Sequence, residues 1–566
     1  KLFDSLLMMD RGGYPVYKGN PVDALSYFKN AANYVNPEES GCSCCGNVNA
    51  QQPLEILESK VVDEYGKLTK VRKISPGEWY KKFKIEIESE TQKEEQEIKD
   101  TKLPKNHFKT PSRFKQFLIF TIRNIKSKLT NKQYLLITFL EAPLLAVILG
   151  YFTKYISGTD TNPDAYVFAE NVNLIAYLFM AVTVALFFGM TLSAEEIIKD
   201  KKILNREKFL NLSKLSYLNS KIIVLFFISA IQTLSFIIVG NFILEIHGLT
   251  LTYWAILFTT AAFANILGLN ISAAFDSVVT IYIIIPFILV PQLLFSGSIV
   301  EFSKLHKDFT SYKEVPVLGD LMTSRWAFEA LAVAQFKDNN YEKYYFKTDM
   351  LKSQNNFILS YLIPELKNYA NTCLSDINNN KITGKTKENL LILKNELKKL
   401  NKNGNIQFDE INKITAENFN SETDKALQTY FNSYTKFLNN NQYKLNLKND
   451  SVSRFLINKL GSREAVFQLK QKNHNKKLEE VLRNKAEFDA LKEEDHQLVQ
   501  VIEPIFKLPE SRNGRAHFYA PVKKIGNMTF DTVWFNIIFI WFTSLIIYLT
   551  LIFDVFRKLL NLFNKE

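Results

Sequence analysis

Cysteine is scarce: 4 in 566 residues. That is too few for a fold held by disulfides, so a small stapled secreted scaffold is excluded. No cleavable leader is expected in the opening residues. The apolar run Leu2 to Met9 is too short and lacks a cleavage region. Lys1 stands where an element is already under way, so the expectation is a piece of a longer protein. Disorder is excluded as the main state, because apolar residues make up 47% of the chain, far more than disordered sequences carry. Charge is sparse only in places. The overall 23% looks like a soluble protein, but long stretches with almost no charge alternate with stretches crowded with Lys, Asn and Glu. Length alone implies three or four domains of about 150 residues. What is abundant is aromatic: 45 Phe and 25 Tyr, a usage that fits membrane helices and their interfacial belts. The net charge of +12 admits either nucleic acid or an anionic membrane surface. Its placement favours the membrane, and no nucleic-acid partner is expected.

Six segments have the roughly 20 apolar residues that crossing a bilayer requires. They are Tyr134 to Phe152, Asn171 to Leu192, Ile222 to Leu244, Leu251 to Ala274, Val278 to Val300 and, standing alone near the end, Thr532 to Phe553. Buried helices of a large enzyme are the competing account, but soluble cores rarely need six such runs. Lys and Arg concentrate before the first span (Arg113, Lys115, Arg123, Lys126, Lys128, Lys132), between the second and third (Lys199, Lys201, Lys202, Arg206, Lys208, Lys214), and after the sixth (Arg557, Lys558). The loops after spans one and three are nearly free of them. The positive-inside rule then puts both termini in the cytoplasm. Ahead of span one, Phe114, Phe117, Leu118, Ile122, Ile125 and Leu129 share a helical face opposite basic residues. This predicts an amphipathic helix at the cytoplasmic interface, over 110–132.

Four places resemble the G-subfamily (white/pigment type) of ABC transporters. Residues 2–19, LFDSLLMMDRGGYPVYKG, followed by Tyr27-Phe28, look like the end of that family's nucleotide-binding domain: strand, Gly-Gly turn, strand, helix. Arg206-Glu207, Ser216-Tyr217 and Lys221 resemble its spacing between spans two and three. Phe295-Ser296-Gly297 ends span five as the family's fifth span ends. The segment Arg325-Trp326-Ala327-Phe328-Glu329-Ala330-Leu331, with Gln335-Phe336 after it, is similar to the family's stretch beyond that span. The resemblance covers about residues 1–30, 110–336 and 530–558. It implies an ATP-driven exporter that works as a dimer of half-transporters, with ATP and Mg held by the nucleotide-binding domain of the full-length protein.

Two features depart from that family. A P-loop needs a Gly-rich turn that cradles phosphate, then Lys and Ser/Thr. The only Gly-Lys-Thr is Gly384-Lys385-Thr386, where Asn379 occupies the position of the loop's first Gly and no strand precedes. No signature loop or Walker B strand is present either, so ATP hydrolysis is expected of the full-length protein and not of this stretch, which binds no cofactor alone. The other departure is the length of chain between spans five and six. By the topology above it is extracytoplasmic. It is rich in Lys, Asn and Glu with helical periodicity over Lys387 to Leu400, Asp424 to Leu438 and Val452 to Phe506. The Asn clusters 378–380 and 439–441 read as turns, and Pro509 to Lys524 reads as an ordered return strap. Residues 338 to about 508 are expected to fold as a helical domain of their own.

The expected architecture is mainly α. It begins with the C-terminal end of an α/β nucleotide-binding domain (1–35), then an accessory segment and charged linker (36–109) and the interfacial helix. Spans one to five (133–334), a helical extracytoplasmic insertion (335–528), and span six with a cytoplasmic tail (529–566) complete it. Within 36–109, Pro53 to Tyr65 reads as a helix with Leu54, Leu57 and Val61 on one face. Coupling to the nucleotide-binding domain is expected of Glu195, Arg206 and Glu207. Glu141 sits in mid-span, where an ionisable group is costly and functional by default. With Phe187, Phe188, Asn265, Gln292, Phe295, Ser298 and Ile299 it forms the expected substrate pathway, although polar groups in spans also serve as glue between helices. Cys42, Cys44 and Cys45 offer thiolates to zinc, but no second half of a site follows, and a reduced loop is the plainer reading. The transported molecule would be a lipid or amphiphilic small molecule, and the Asn/Lys-rich composition points to a bacterial inner membrane. The rival function is a membrane-anchored scaffold or binding protein that acts through the insertion.

Overall fold

The computed structural model describes residues 5–35, 51–64, 66–89, 111–158, 162–207, 212–403 and 406–563. The chain divides into two compact units, residues 1–109 and 110–566.

In the first unit, strands β1 (Leu6–Asp10) and β2 (Tyr14–Gly19) pair antiparallel around the Gly12-Gly13 turn. Helix α1 (Ala24–Ala31) lays Ala24, Leu25 and Phe28 on Val16 and Tyr17 of β2. The expected strand–turn–strand–helix order is therefore present. Helix α2 (Gln52–Leu57) is short. The chain turns into strands β3 (Lys60–Val62) and β4 (Leu68–Arg72), so the helical reading of Pro53 to Tyr65 fails after Leu57. Its buried residues are Pro53, Ile56 and Leu57, while Leu54 and Val61 are exposed. Helix α3 (Pro76–Phe83) begins with a capping box: Ser75 accepts from the Glu78 N–H and the Glu78 carboxylate accepts from the Ser75 N–H. It brings Trp79 against Phe28 in the core. Arg72 bridges Asp10 at 2.8 Å and Glu58 at 3.0 Å, tying both hairpins together.

The second unit is a bundle. It comprises α4 (Arg113–Thr130), α5 (Lys132–Thr153), α6 (Leu174–Ser193), α7 (Glu196–Glu207), α8 (Lys214–Leu244), α9 (Thr250–Ala274) and α10 (Val278–Leu294). Much later α18 (Thr532–Ile552) joins it. Among the described residues five helices are long and apolar enough to cross a membrane, and α10, at 17 residues, is shorter. The sequence carried this span on to Val300. The helix runs through Pro286 and Pro291 but ends at Leu294, and Gly297 then turns the chain with φ +80°.

Helix α9 lies at the centre, packed on α6, α8 and α18. Its buried face is rich in Ala, Thr and Asn, which lets backbones approach closely. Gly189 of α6 is the tightest example: a Cβ there would sit 2.3 Å from the Ala261 carbonyl oxygen. Helices α5 and α18, by contrast, turn rows of Leu, Ile, Phe and Trp outward, as a helix does when lipid is its solvent. Helix α4 does the same in miniature. Gln116, Phe120 and Asn124 face α8, while Phe114, Leu118, Ile122, Ile125 and Leu129 are exposed.

The stretch between α10 and α18 contains α11 (Thr323–Lys337), α12 (Glu342–Phe357), α13 (Ile363–Asn378), α14 (Gly384–Asn403) and α15 (Ser421–Leu460). Helices α16 (Arg463–Asn473) and α17 (Lys476–Leu482) follow, then hairpins β5–β6 (Leu491–Glu494, Gln497–Gln500) and β7–β8 (Val522–Ile525, Met528–Asp531). It has a core of its own, built from side chains between Phe357 and Leu438 with Leu498. Its later part does not stand alone. Leu478, Leu482, Ile505 and Phe506 share the core of the spans, and Asn475 donates to the carbonyls of Phe168 and Asn171 at 2.8 Å each. The later part of the insertion thus packs as one body with the spans.

Other local readings change too. Asn378 to Asn380 does end α13, with Asn380 at φ +54°, but Asn439 to Asn441 lies inside the 40-residue α15, where the packing of Tyr434 and Leu438 outweighs weak Asn propensity. Val452 to Phe506 is not one helical run, because it breaks at Gly461 and then at His474, and becomes a hairpin whose Asp495-His496 turn has φ +50° and +55°. Positive φ at both turn residues matches strand twist, but Asp-His lacks the usual Gly signal. The return strap is non-helical as expected, and its end, Val522–Ile525, is strand β7.

Candidate functional site

Two clusters gather the polar chemistry. The first lies where α4, α7 and α8 meet. Glu196 and Asp200 are one helical turn apart on α7 and share a face. Lys221 of α8, buried, reaches both, with Nζ 2.9 Å from each carboxylate. Lys128 of α4 also pairs with Glu196, and the Tyr134 hydroxyl lies 3.0 Å from its Nζ. The Tyr217 hydroxyl, one turn before Lys221, donates to Asp200 at 3.0 Å. Burial opposes the Lys128 ammonium, but Glu196 more than offsets this, so its pKa stands above the ordinary lysine value. Two lysines and two carboxylates thus neutralise each other between three helices, and moving α7 means moving all of them.

The expected coupling residues lie along the same helix. Glu195 accepts from the Tyr282 hydroxyl at 2.9 Å, which ties the start of α7 to α10. Glu207, at the other end, pairs with Arg123 of α4 at 3.3 Å. Arg206 is exposed. Sequence spacing had singled out Tyr217 and Lys221 only as part of a resemblance, and Glu196, Asp200 and Lys128 not at all. The available signal was the i, i+4 acidic pair on a helix otherwise full of lysine.

The second cluster surrounds α11. The side chains of Arg325, Glu329 and Lys523 are all fully buried. Glu329 accepts from Lys523 Nζ at 2.8 Å, from the Tyr519 N–H at 3.1 Å and from Asn536 Nδ2 at 2.9 Å. Arg325 lies over the Trp326 ring at 3.9 Å. Burial pulls Lys523 down to about 8 although Glu329 opposes the shift. Arg515 of the strap reaches Glu314 and Asp320, each at 2.8 Å. The strap is thereby locked onto α11, and Phe518 seats against Gly297, where a Cβ would come within 2.8 Å of the ring. Only Gly at that position admits both the positive φ and the ring.

The expected pathway residues do not form one site. Phe188 is in the bundle core and Phe187 beside it is exposed. Asn265 donates to Ser229 of α8 at 2.8 Å, and Gln292 accepts from the Ser324 N–H at 3.0 Å, so both side chains join helices. Phe295 and Ser298 are half-buried and Ile299 is exposed. Glu141 is half-buried on α5, with no hydrogen-bond or ion-pair partner among the described residues. Gly384-Lys385-Thr386 opens α14, and the Thr386 hydroxyl donates to Asp376 at 2.7 Å, which leaves no phosphate cradle there. Cys42, Cys44 and Cys45 lie outside the described residues. Among the described residues no His, Cys, Asp and Glu side chains gather into a metal-binding group.

With several apolar helices long enough to cross a membrane among its described residues, the chain is a multi-pass membrane protein. Residues 115–336 match the family model for ABC-2 type transporters. This segment, α4 to α11, is an ABC-2 type membrane domain, and its role is transport across the membrane. No curated protein matches the chain.

Proposed function

We propose that the chain belongs to an ATP-driven exporter of the white/pigment type, working as a dimer of half-transporters that moves a lipid or amphiphilic small molecule out of the cytoplasm. The observation that carries this is the ABC-2 match over 115–336 together with the neutralised α4–α7–α8 junction at the basic end of the bundle. Residues 1–35 support it, since their hairpin and helix have the order that ends a nucleotide-binding domain. ATP and magnesium would be held by the P-loop, Walker B strand and signature loop of the full-length protein. Gly384-Lys385-Thr386 forms no phosphate cradle, and no step of hydrolysis is assigned to the described residues.

The part played by this chain is mechanical. Helix α7 is tied to α4 at Lys128 and Arg123, to α8 at Lys221 and to α10 at Tyr282. A push on α7 from a closing nucleotide-binding domain therefore reaches three neighbours at once. Breaking one ion pair in such a junction leaves a buried charge and is costly, so the elements would move together and rock the spans between inward- and outward-open states. Six spans, counting α10, give half of a pathway, and a second copy completes it. The termini would be cytoplasmic and residues 335–528 extracytoplasmic. The test is ATP hydrolysis and transport by the full-length protein in lipid vesicles against a panel of amphiphiles. Stimulation by at least one of them is expected, and a protein without ATPase activity in any lipid would refute the reading.

A further inference from the structure

A cavity of about 580 Å³ opens between the chain that follows α10 and the insertion. Ser298 and Phe302 line it from the chain after α10, Val481 and Val501 from the insertion, and His517 and Phe518 from the strap. Its size falls in the range of about 300–1,000 Å³ that small-molecule sites occupy. The transport cycle proposed above assigns it no role.

Three features define what it can hold. The first is aromatic. Phe302 and Phe518 meet edge to face at 5.0 Å, and Phe518 lies 4.0 Å from Tyr519. Ring faces carry negative potential and attract cations. The second is acidic. Glu301, Glu314 and Glu480 line the cavity against Lys477 and Lys485. Both ammoniums are engaged, Lys477 with Glu480 at 3.1 Å and Lys485 with Glu479 at 2.9 Å. Among the described residues Glu301 pairs with Lys304 at 2.9 Å, an exposed pair like that of Lys477 and Glu480, of the kind that a competing cation displaces easily. The third is His517, 7% exposed. Its Nε2 lies 2.8 Å from the Pro504 carbonyl oxygen. A carbonyl only accepts, so the proton is on Nε2 and Nδ1 offers a lone pair. Burial, and then the charge of Lys507, keeps this imidazole well below its usual pKa and therefore neutral. Nδ1 has no protein partner among the described residues.

We propose that this cavity binds a protonated organic amine with an apolar body. Its N–H donates to His517 Nδ1, its charge lies against the aromatic rings and Glu301, and its body lies along Val481 and Val501. Of the three lining carboxylates, Glu314 is already held by Arg515 at 2.8 Å and Glu480 by Lys477 at 3.1 Å, which leaves Glu301 to meet the ligand's charge.

The test uses the whole chain purified in detergent, without ATP, and dansylcadaverine as the probe, read by fluorescence anisotropy. N-acetyl dansylcadaverine is the uncharged control. Saturable binding is expected, at least tenfold weaker for the acetylated probe. Ser298→Trp and Lys485→Trp, which fill the cavity from two separate segments at partly exposed positions, should each weaken binding at least tenfold while gel filtration stays unchanged. Lys485→Trp is the sharper of the two, because it removes a positive charge and would strengthen binding of a cation if space were not the issue. Absence of saturable binding, equal affinity for the acetylated probe, or indifference of the folded tryptophan variants would each overturn the proposal. Binding is read without nucleotide, so an inactive ATPase leaves it standing, and failure to bind leaves the exporter reading standing.

Discussion

Glu329→Gln tests how the strap is held. The side chain keeps its shape and loses its charge. In the native protein one carboxylate faces two cations, Arg325 and Lys523, all three fully buried. The substitution leaves Lys523 without its ion-pair partner and Arg325 with Asp320 alone, at 3.7 Å. It also turns an amide N–H₂ toward groups that already donate, Lys523 Nζ and Tyr519 N on one side or Asn536 Nδ2 on the other. Removing one partner of a buried pair costs about 3–5 kcal/mol. In thermal unfolding of the whole chain in detergent this should lower the midpoint by on the order of 5 °C. Tryptophan fluorescence is the readout, and Trp326, beneath Arg325, reports from the cluster itself.

The deficit should depend on pH in a stated direction. Lys523 has a folded pKa of about 8, below its unfolded value of about 10.4. It therefore gives up a proton on folding, and stability from this group rises as pH climbs from about 8 toward 10.4. Without Glu329 the folded pKa falls further, so the variant begins to gain at lower pH and the gap to wild type narrows between neutrality and pH 8. Adding Lys523→Met removes the second cation and should recover about half of the loss. A variant that melts within about 1 °C of wild type at neutral pH, or whose deficit widens as pH rises, would show that Glu329 does not neutralise these cations.

Three further outcomes follow from the structure. In a Cys-free background, single cysteines at Asp200 and Lys558 should resist a membrane-impermeant thiol reagent in intact cells while one at Asn440 reacts, and labelling at Asp200 would invert the topology. Glu207→Ala, which strands Arg123, and Arg206→Ala, on the exposed face of α7, should leave nucleotide binding of the full-length protein unchanged and depress transport; wild-type transport in both would remove α7 from the coupling path. Asn475→Ala loses two hydrogen bonds to the chain ahead of α6, worth about 2 kcal/mol together, and limited proteolysis should then cut between α16 and α17 faster than in wild type.

Hydropathy alone located the spans, because a run of apolar residues long enough to cross a bilayer leaves the backbone no alternative to a helix. Periodicity placed α4 and its outward apolar face, and the Gly-Gly turn placed the first hairpin. These are local properties, written within a few residues of where they act. The sequence overran span five by reading hydropathy past Gly297. It missed the β5–β6 turn, since Asp495-His496 adopts positive φ without the usual residues. The sites belong to tertiary structure. Glu329 meets Lys523 and Asn536 across 194 and 207 residues of chain, and Lys221 meets Asn124 across 97. No local pattern encodes such pairs. They form because each charge, once packing has buried it, requires a counter-charge or a hydrogen-bonding partner within reach. The core that Leu478, Leu482 and Phe506 share with the spans was equally invisible, because a helical period shows that a face is apolar and not which surface it covers.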